Sequence, residues 1–412
     1  MKLEEPDRNK RNVCIFFSTR YPYETTIKRE LEVLSRSFDY IFYFPTVIKE
    51  GNKQTLPQNV ILCTELADVR DEWKGLNIRQ WITVIRLYLA HLFVKNNISA
   101  YLRHFKTYVT IAARNVLWKQ TLAGFIKKNK LNNALLYDYW FENATLAISL
   151  LRRDRLINNA IAHAHRFDLY DEVDKTYVIP FREIKIKYID KVYPIAEHGY
   201  HYLRSKVKDK FQHKIELAHL GVEIPKKITK VDPGKNYKLI VSVSNTQTFK
   251  RVHIIPDVLS QINIDINIKW LHFGIGPNDT VIKEKIDKLP PNISAKMMGY
   301  VPNNEVLNFY KENPVDLFVS LSLSEGLPIS MMESVAYGIP VFACNVCGIP
   351  DLVTQSTGAL FESEDDIITI ANKLRKALLK RFNHEVIHVF ANKKFDYKKN
   401  YSQFAKRIIS LT

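Results

Sequence analysis

Between Asp316 and Val353 the pattern of apolar and polar positions resolves into regular elements more sharply than anywhere else in the chain. Asp316 to Ser322 is apolar and rich in β-branched and aromatic residues, which predicts a buried strand. After a turn, Pro328 falls on a first helical position, and Ile329, Met332, Val335 and Ala336 recur at helical spacing. Gly338 and Pro340 stop that helix, and Pro340 to Cys344 reads as the next strand. A strand, a loop, a helix and a second strand make a unit of parallel sheet, and ligands of open α/β sheets bind at the C-terminal edge of the strands. The unit sets Glu325 in the loop at that edge and Glu333 about two turns into the helix.

The same reading extends over the rest of the chain. Asn12 to Ser18 predicts a first strand, followed by a loop over Thr19 to Thr25, a helix through Leu34 and a strand over Tyr40 to Phe44. Residues 73–132 are mostly helical, Ala134 to Trp140 is a strand, and Ala144 to Leu151 is the helix behind it. A short strand from Ile161 runs into a polar loop holding His165. Tyr188 to Ala196 and a helix through Leu203 follow, and His219 to Val222 reads as the end of the last strand of this half. Lys and Pro dominate 223–236, a linker. Strands then recur from Tyr237, at Lys269 to Phe273 and at Ala295 to Gly299, before helices at Asp365 to Arg381 and Phe390 to Ile409. The expected organisation is α/β, with a first domain over 1–222, a second over 237–381 and terminal helices over 382–412 that return to the first.

Composition narrows the class. The chain has 412 residues, 46% hydrophobic and 25% charged, values of a soluble globular protein with room for two cores. No apolar run reaches membrane-spanning length, and the polar N-terminus does not read as a signal peptide. Four cysteines suit a reducing cytoplasm. Cys344 and Cys347 lack further partners at ligand spacing, so they read as loop packing and no metal is expected. The net charge is +17, and most of the excess precedes residue 236. Trp73 to Tyr137 contains no acidic residue, and its Lys and Arg alternate with Trp, Phe, Tyr and Leu. That suits an anionic membrane surface. Nucleic acid is not expected as a partner, because no helix-turn-helix, zinc-finger or RNP-type pattern accompanies the charge.

The stretch EGLPISMMESVAYGIPV, from Glu325 to Val341, resembles the Glu-x7-Glu signature of the family 4 retaining glycosyltransferases of the GT-B fold. The resemblance implies two Rossmann-like domains facing a central cleft, the second for a nucleotide-diphosphate sugar and the first for the acceptor. It implies that Glu325 holds donor-sugar hydroxyls and Glu333 the ribose diol, with Gly326, Leu327 and Pro328 leading into a helix N-terminus turned towards the phosphates. Ser244 to Arg251 (SNTQTFKR) aligns with the family's Gly-Arg-Leu-x-x-x-Lys-Gly: Lys250 matches the lysine, Asn245 replaces the arginine, and Arg251 stands in the glycine position. Gly274 matches the family's glycine turn, and Tyr300 and Val301 the backbone that reads the base. Ala164 to Tyr170 (AHRFDLY) resembles the segment carrying an active-site histidine, here His165, although the family has Arg at His163 and Gly at Arg166. Thr19 to Thr25 resembles a loop of the polysaccharide-assembly branch. The implied activity is retaining transfer of a hexose-type sugar, without a metal, to a saccharide that is lipid-linked at the inner face of the cell membrane, in capsule, O-antigen or exopolysaccharide assembly. A GT-B sugar-nucleotide epimerase and a non-catalytic nucleotide-sugar-binding partner remain as alternatives.

Overall fold

The computed structural model describes residues 12–22, 24–49, 54–92, 102–142, 144–171, 179–229, 234–262 and 265–411. They form two compact units, one of residues 1–218 with 399–412 and one of residues 219–398.

The first unit is built on a parallel six-stranded sheet in the order β3-β2-β1-β4-β5-β6. The strands are β1 (Val13–Ser18), β2 (Tyr40–Pro45), β3 (Val60–Leu62), β4 (Leu135–Asp138), β5 (Asn159–Ala164) and β6 (Lys191–Pro194). β1 and β4 are buried at every position, as continuous apolar runs covered by helices on both faces require. The basic stretch forms the helices Ile78–Leu92 and Phe105–Asn129. The first of these is started by a reciprocal capping box, in which the Asn77 side chain accepts from the Gln80 N–H and the Gln80 side chain from the Asn77 N–H. Among the described residues no helix is long and apolar enough to cross a membrane.

The second unit repeats the architecture in the order β12-β11-β10-β7-β8-β9, with all pairings parallel. Its strands are β7 (Tyr237–Val243), β8 (Asn267–Phe273), β9 (Ile293–Gly299), β10 (Leu317–Ser320), β11 (Val341–Cys344) and β12 (Gly358–Phe361). The helix Ile329–Ala336 joins β10 to β11 and ends at Gly338, whose φ of +75° and approach to the His384 carbonyl leave no room for a side chain.

Two boundaries differ from expectation. His219 to Val222 is not the end of a strand, because Val222 makes only a single bridge, to Asp396, with Val222 N–H donating to the Phe395 carbonyl. The return to the first unit begins at Lys399 rather than at 382, since the helix His384–Phe395 belongs to the second unit, where His388 bonds the Ala336 carbonyl. The helix Tyr397–Ile409 then carries Phe404, Ala405 and Ile408 into the core of the first sheet.

Candidate functional site

In the second unit the predicted residues gather at the C-terminal ends of the strands. Lys250 Nζ donates to Glu325 Oε1 at 2.5 Å, although 75 residues separate them. The two loops are also tied through the backbone, with Leu323 N–H donating to the Phe249 carbonyl at 3.0 Å. Glu325 is only 8% exposed, so its carboxylate is held at one place and not waving in solvent. Pro328 precedes the helix instead of opening it, and the first helical bond runs from Met332 N–H to the Pro328 carbonyl. Gly326 and Leu327 are buried beneath that N-terminus. The preceding amides have no intrahelical acceptor and no capping side chain, which makes them donors for an anion. A fixed carboxylate and a helix N-terminus therefore lie on one short segment, and a cation from a remote loop is bonded to the carboxylate.

Glu333 lies in the second turn of that helix, buried, and accepts from Asn303 Nδ2 with both oxygens, at 3.1 and 3.0 Å. Asn303 opens the helix Asn303–Glu312, two residues after Val301. Gly299, at φ +74°, turns the chain out of β9 and leaves Tyr300 75% exposed. Gly274 donates its N–H to the Gly299 carbonyl, and a Cβ on it would lie 1.8 Å from the Ser244 carbonyl oxygen. That glycine is required because the backbones leaving β7 and β8 touch there.

Lys250 ends a 3-10 turn, Arg251 adopts the left-handed conformation at φ 54°, and a regular helix begins only at Ile255. A second 3-10 turn, Val252–Ile254, leads from Arg251 into that helix. The positive φ also explains why glycine serves at the position of Arg251. Asn245 is exposed, and its side-chain oxygen accepts from the Gln247 N–H, so it shapes the turn and supplies no charge.

In the first unit His165 follows β5 and is buried against Trp140, with ring centroids 4.1 Å apart. Its Nε2 donates to the Tyr139 carbonyl at 2.9 Å, which leaves Nδ1 as the unprotonated nitrogen. Burial lowers its pKa to about 3, so the ring is neutral and suited to accept a hydrogen bond from a hydroxyl. Two residues that the sequence reading passed over hold it in place. The Asp168 carboxylate accepts from His165 N–H at 2.8 Å and from Phe141 N–H at 2.7 Å, while Lys185 Nζ donates to the Phe141 carbonyl at 2.6 Å. Burial raises Asp168 to about 7 and lowers Lys185 to about 8. His163 is core, stacked on Phe404 and 2.5 Å from the Tyr137 hydroxyl. Arg166 has no positive φ, so nothing in the backbone calls for the family's glycine there. Asp168 had a signal, an Asp three residues after the histidine. Lys185 and Asn303 had none, for their partners are remote in sequence.

Among the described residues no group of His, Cys, Asp and Glu could hold a metal ion. Residues 223–395 match the family described as glycosyl transferases group 1. The chain is 26% identical over 182 residues to WcaL of Salmonella typhimurium, named for colanic acid biosynthesis, covering 42% of this chain and 44% of that one. It is 28% identical over 164 residues to the amylovoran biosynthesis glycosyltransferase AmsK of Erwinia amylovora, covering 38% and 40%. These alignments thus span less than half of either relative. The fold extends further: the apo structure of the lipopolysaccharide outer core galactosyltransferase WaaB superposes with a TM-score of 0.71 over 96% of this chain and 99% of that one, at 13% identity. With two parallel six-stranded sheets and that match, the chain has the GT-B fold, and its residues 223–395 form a domain of the group 1 glycosyl transferase type.

Proposed function

We propose that the protein is a retaining glycosyltransferase that moves a hexose-type sugar from a nucleotide-diphosphate donor to a saccharide acceptor in surface polysaccharide assembly. The observation that carries this reading is the Lys250–Glu325 pair, fixed beside the uncapped N-terminus of Ile329–Ala336 within the group 1 domain. The ammonium and the first-turn amides meet the charge that develops on a departing diphosphate, which needs no metal. Glu325 accepts from donor-sugar hydroxyls and keeps Lys250 in position. Glu333, oriented by Asn303, takes the ribose diol, and the backbone at Tyr300 and Val301 faces the base. Arg251 adds a second positive charge in place of the arginine missing at Asn245. In the first unit, neutral His165 accepts from a hydroxyl of the reacting sugars.

Bond making and breaking then occur on one face of the sugar. The bond from the anomeric carbon to the phosphate oxygen breaks, and its electron pair leaves on the phosphate. The acceptor hydroxyl adds to the same face, and its proton passes to the leaving phosphate oxygen. The names of the colanic acid and amylovoran relatives support an exopolysaccharide setting, and the basic first unit supports a lipid-linked acceptor at the inner face of the cell membrane. The test is slow hydrolysis of UDP-, GDP-, ADP- and dTDP-sugars. One donor should be consumed by the wild type, with nucleotide release at least 100-fold slower in Glu325→Ala, the scale of losing a main electrostatic contact. Equal release by the two proteins would overturn the role of Glu325. Absence of thermal stabilisation by any of these donors would overturn the reading as a whole.

A further inference from the structure

Among the described residues, six large apolar side chains of the first unit lie open to solvent within the acid-free stretch. On the helix Ile78–Leu92, Ile78, Ile82, Ile85 and Leu89 follow one another at intervals of four, three and four residues and so share one face. They are between 43% and 77% exposed. Leu102 and Phe105 are 62% and 49% exposed, and the Phe105 ring meets Tyr88 edge-on at 5.1 Å, which sets it beside the end of the stripe. The fold does not call for these side chains: the same helix packs into the unit through Val84 and Leu87, against Ala112, Ala113 and Val116. The helix thus has two apolar faces, one spent on the core and one without a partner among the described residues.

The charge around the open face indicates its occupant. Arg79 and Arg86 flank the stripe on one side, and Arg103 and Lys106 adjoin Leu102 and Phe105. All four are exposed, and none has an ion-pair partner among the described residues. A nucleic acid would use the cations but has no use for a row of isoleucines. A second copy of the chain would use the isoleucines but would bring like charges together. An anionic bilayer uses both, since aliphatic side chains enter the acyl boundary while arginines meet the headgroups.

We propose that this face docks the protein on an anionic membrane, the Ile78–Ile82–Ile85–Leu89 stripe inserting and the four cations pairing with headgroups. The proposal deepens the lipid-linked acceptor of the transferase reading and rests on it for its biological meaning, whereas the binding itself needs neither donor nor acceptor. The experiment floats the full-length protein with phosphatidylcholine vesicles and with vesicles containing about one-third phosphatidylglycerol. Wild type should float with the anionic vesicles and remain partly bound in high salt, because the inserted stripe is not screened. Ile82→Gln/Ile85→Gln should lower the bound fraction at least about tenfold. Arg79→Gln/Arg86→Gln should lower partitioning about 25-fold at low salt, roughly fivefold per charge. Both pairs are exposed, so unchanged circular dichroism melts will separate lost docking from lost folding. Equal flotation of wild type and the isoleucine variant would overturn the proposal. So would dimerisation that this variant abolishes without any vesicle binding, which would assign the face to a second copy. Vesicle binding without thermal stabilisation by any sugar nucleotide would leave the docking face standing and overturn only the transferase reading.

Discussion

Arg251 holds a backbone conformation that costs an ordinary side chain about 1–2 kcal/mol and a glycine nothing. What the arginine side chain brings to that position, against the cost, is its charge. Arg251→Gly removes the strain but adds the chain entropy of glycine, so thermal stability should stay within about 1 kcal/mol of wild type. Nucleotide release should nonetheless fall about tenfold or more, and a melt paired with the release assay reads both. An unchanged release rate would leave the arginine without a role at the phosphates. Asn303→Ala should show the opposite profile. It removes a donor from a buried carboxylate, costing about 1–3 kcal/mol in urea unfolding. With Glu333 on the ribose diol as proposed, away from the breaking bond, KM for the donor should rise while kcat holds.

The elements themselves could largely be read from the chain, because buried parallel strands are continuous apolar runs and Gly and Pro mark their ends. β1, β2, β4 and the β10–helix–β11 unit all announce themselves in this way. β3 and β12 do not, since they are short strands at the sheet edges, only partly buried, and so lack the continuous apolar run of a central strand. The candidate residues were legible as types at the C-terminal edge of a sheet, where the fold places them, but their connections were not. Lys250 finds Glu325 across 75 residues and Lys185 finds Phe141 across 44, distances at which only the folded chain decides partners. The loop at Phe141 is accordingly a designed support: Asp168 holds its N–H and Lys185 its carbonyl, and the neighbouring Trp140 lies against His165. Asp168→Asn would turn an amide donor towards one of the two N–H groups that the carboxylate now accepts. It should cost about 1–3 kcal/mol and loosen His165, visible as a drop in kcat beyond the change in stability.

At the scale of the molecule, burial makes stability depend on pH in a defined sense. Glu30, Asp138 and Asp168 are pushed up to about 8, 7 and 7, so the folded chain keeps protons that the unfolded chain releases from about pH 4 upward. Their contribution is present in full below the unfolded values and is lost as pH rises through 7 to 8. His165, pushed down to about 3, and His163, well below its usual range, act in the other direction: their contribution is present above about 6.5 and is lost as pH falls below it, for His165 down through about 3. The melting temperature should therefore peak between about pH 4 and 7, and Glu30→Gln should flatten its decline from pH 6 to 8. An identical decline in the variant would show that Glu30 ionises as freely in the fold as outside it.

One consequence of the path of the chain concerns its synthesis. The core of the first sheet includes Phe404, Ala405 and Ile408, with Phe404 stacked on His163, whereas the second unit is one continuous stretch. A ribosome therefore releases a complete set of contacts for the middle of the protein before it releases those for the beginning. The earlier-made sheet must wait, with the places for Phe404 and Ile408 uncovered, until the last helix emerges, which makes it the part most in need of a chaperone. Residues 219–398 expressed alone should fold, and residues 1–218 alone should aggregate.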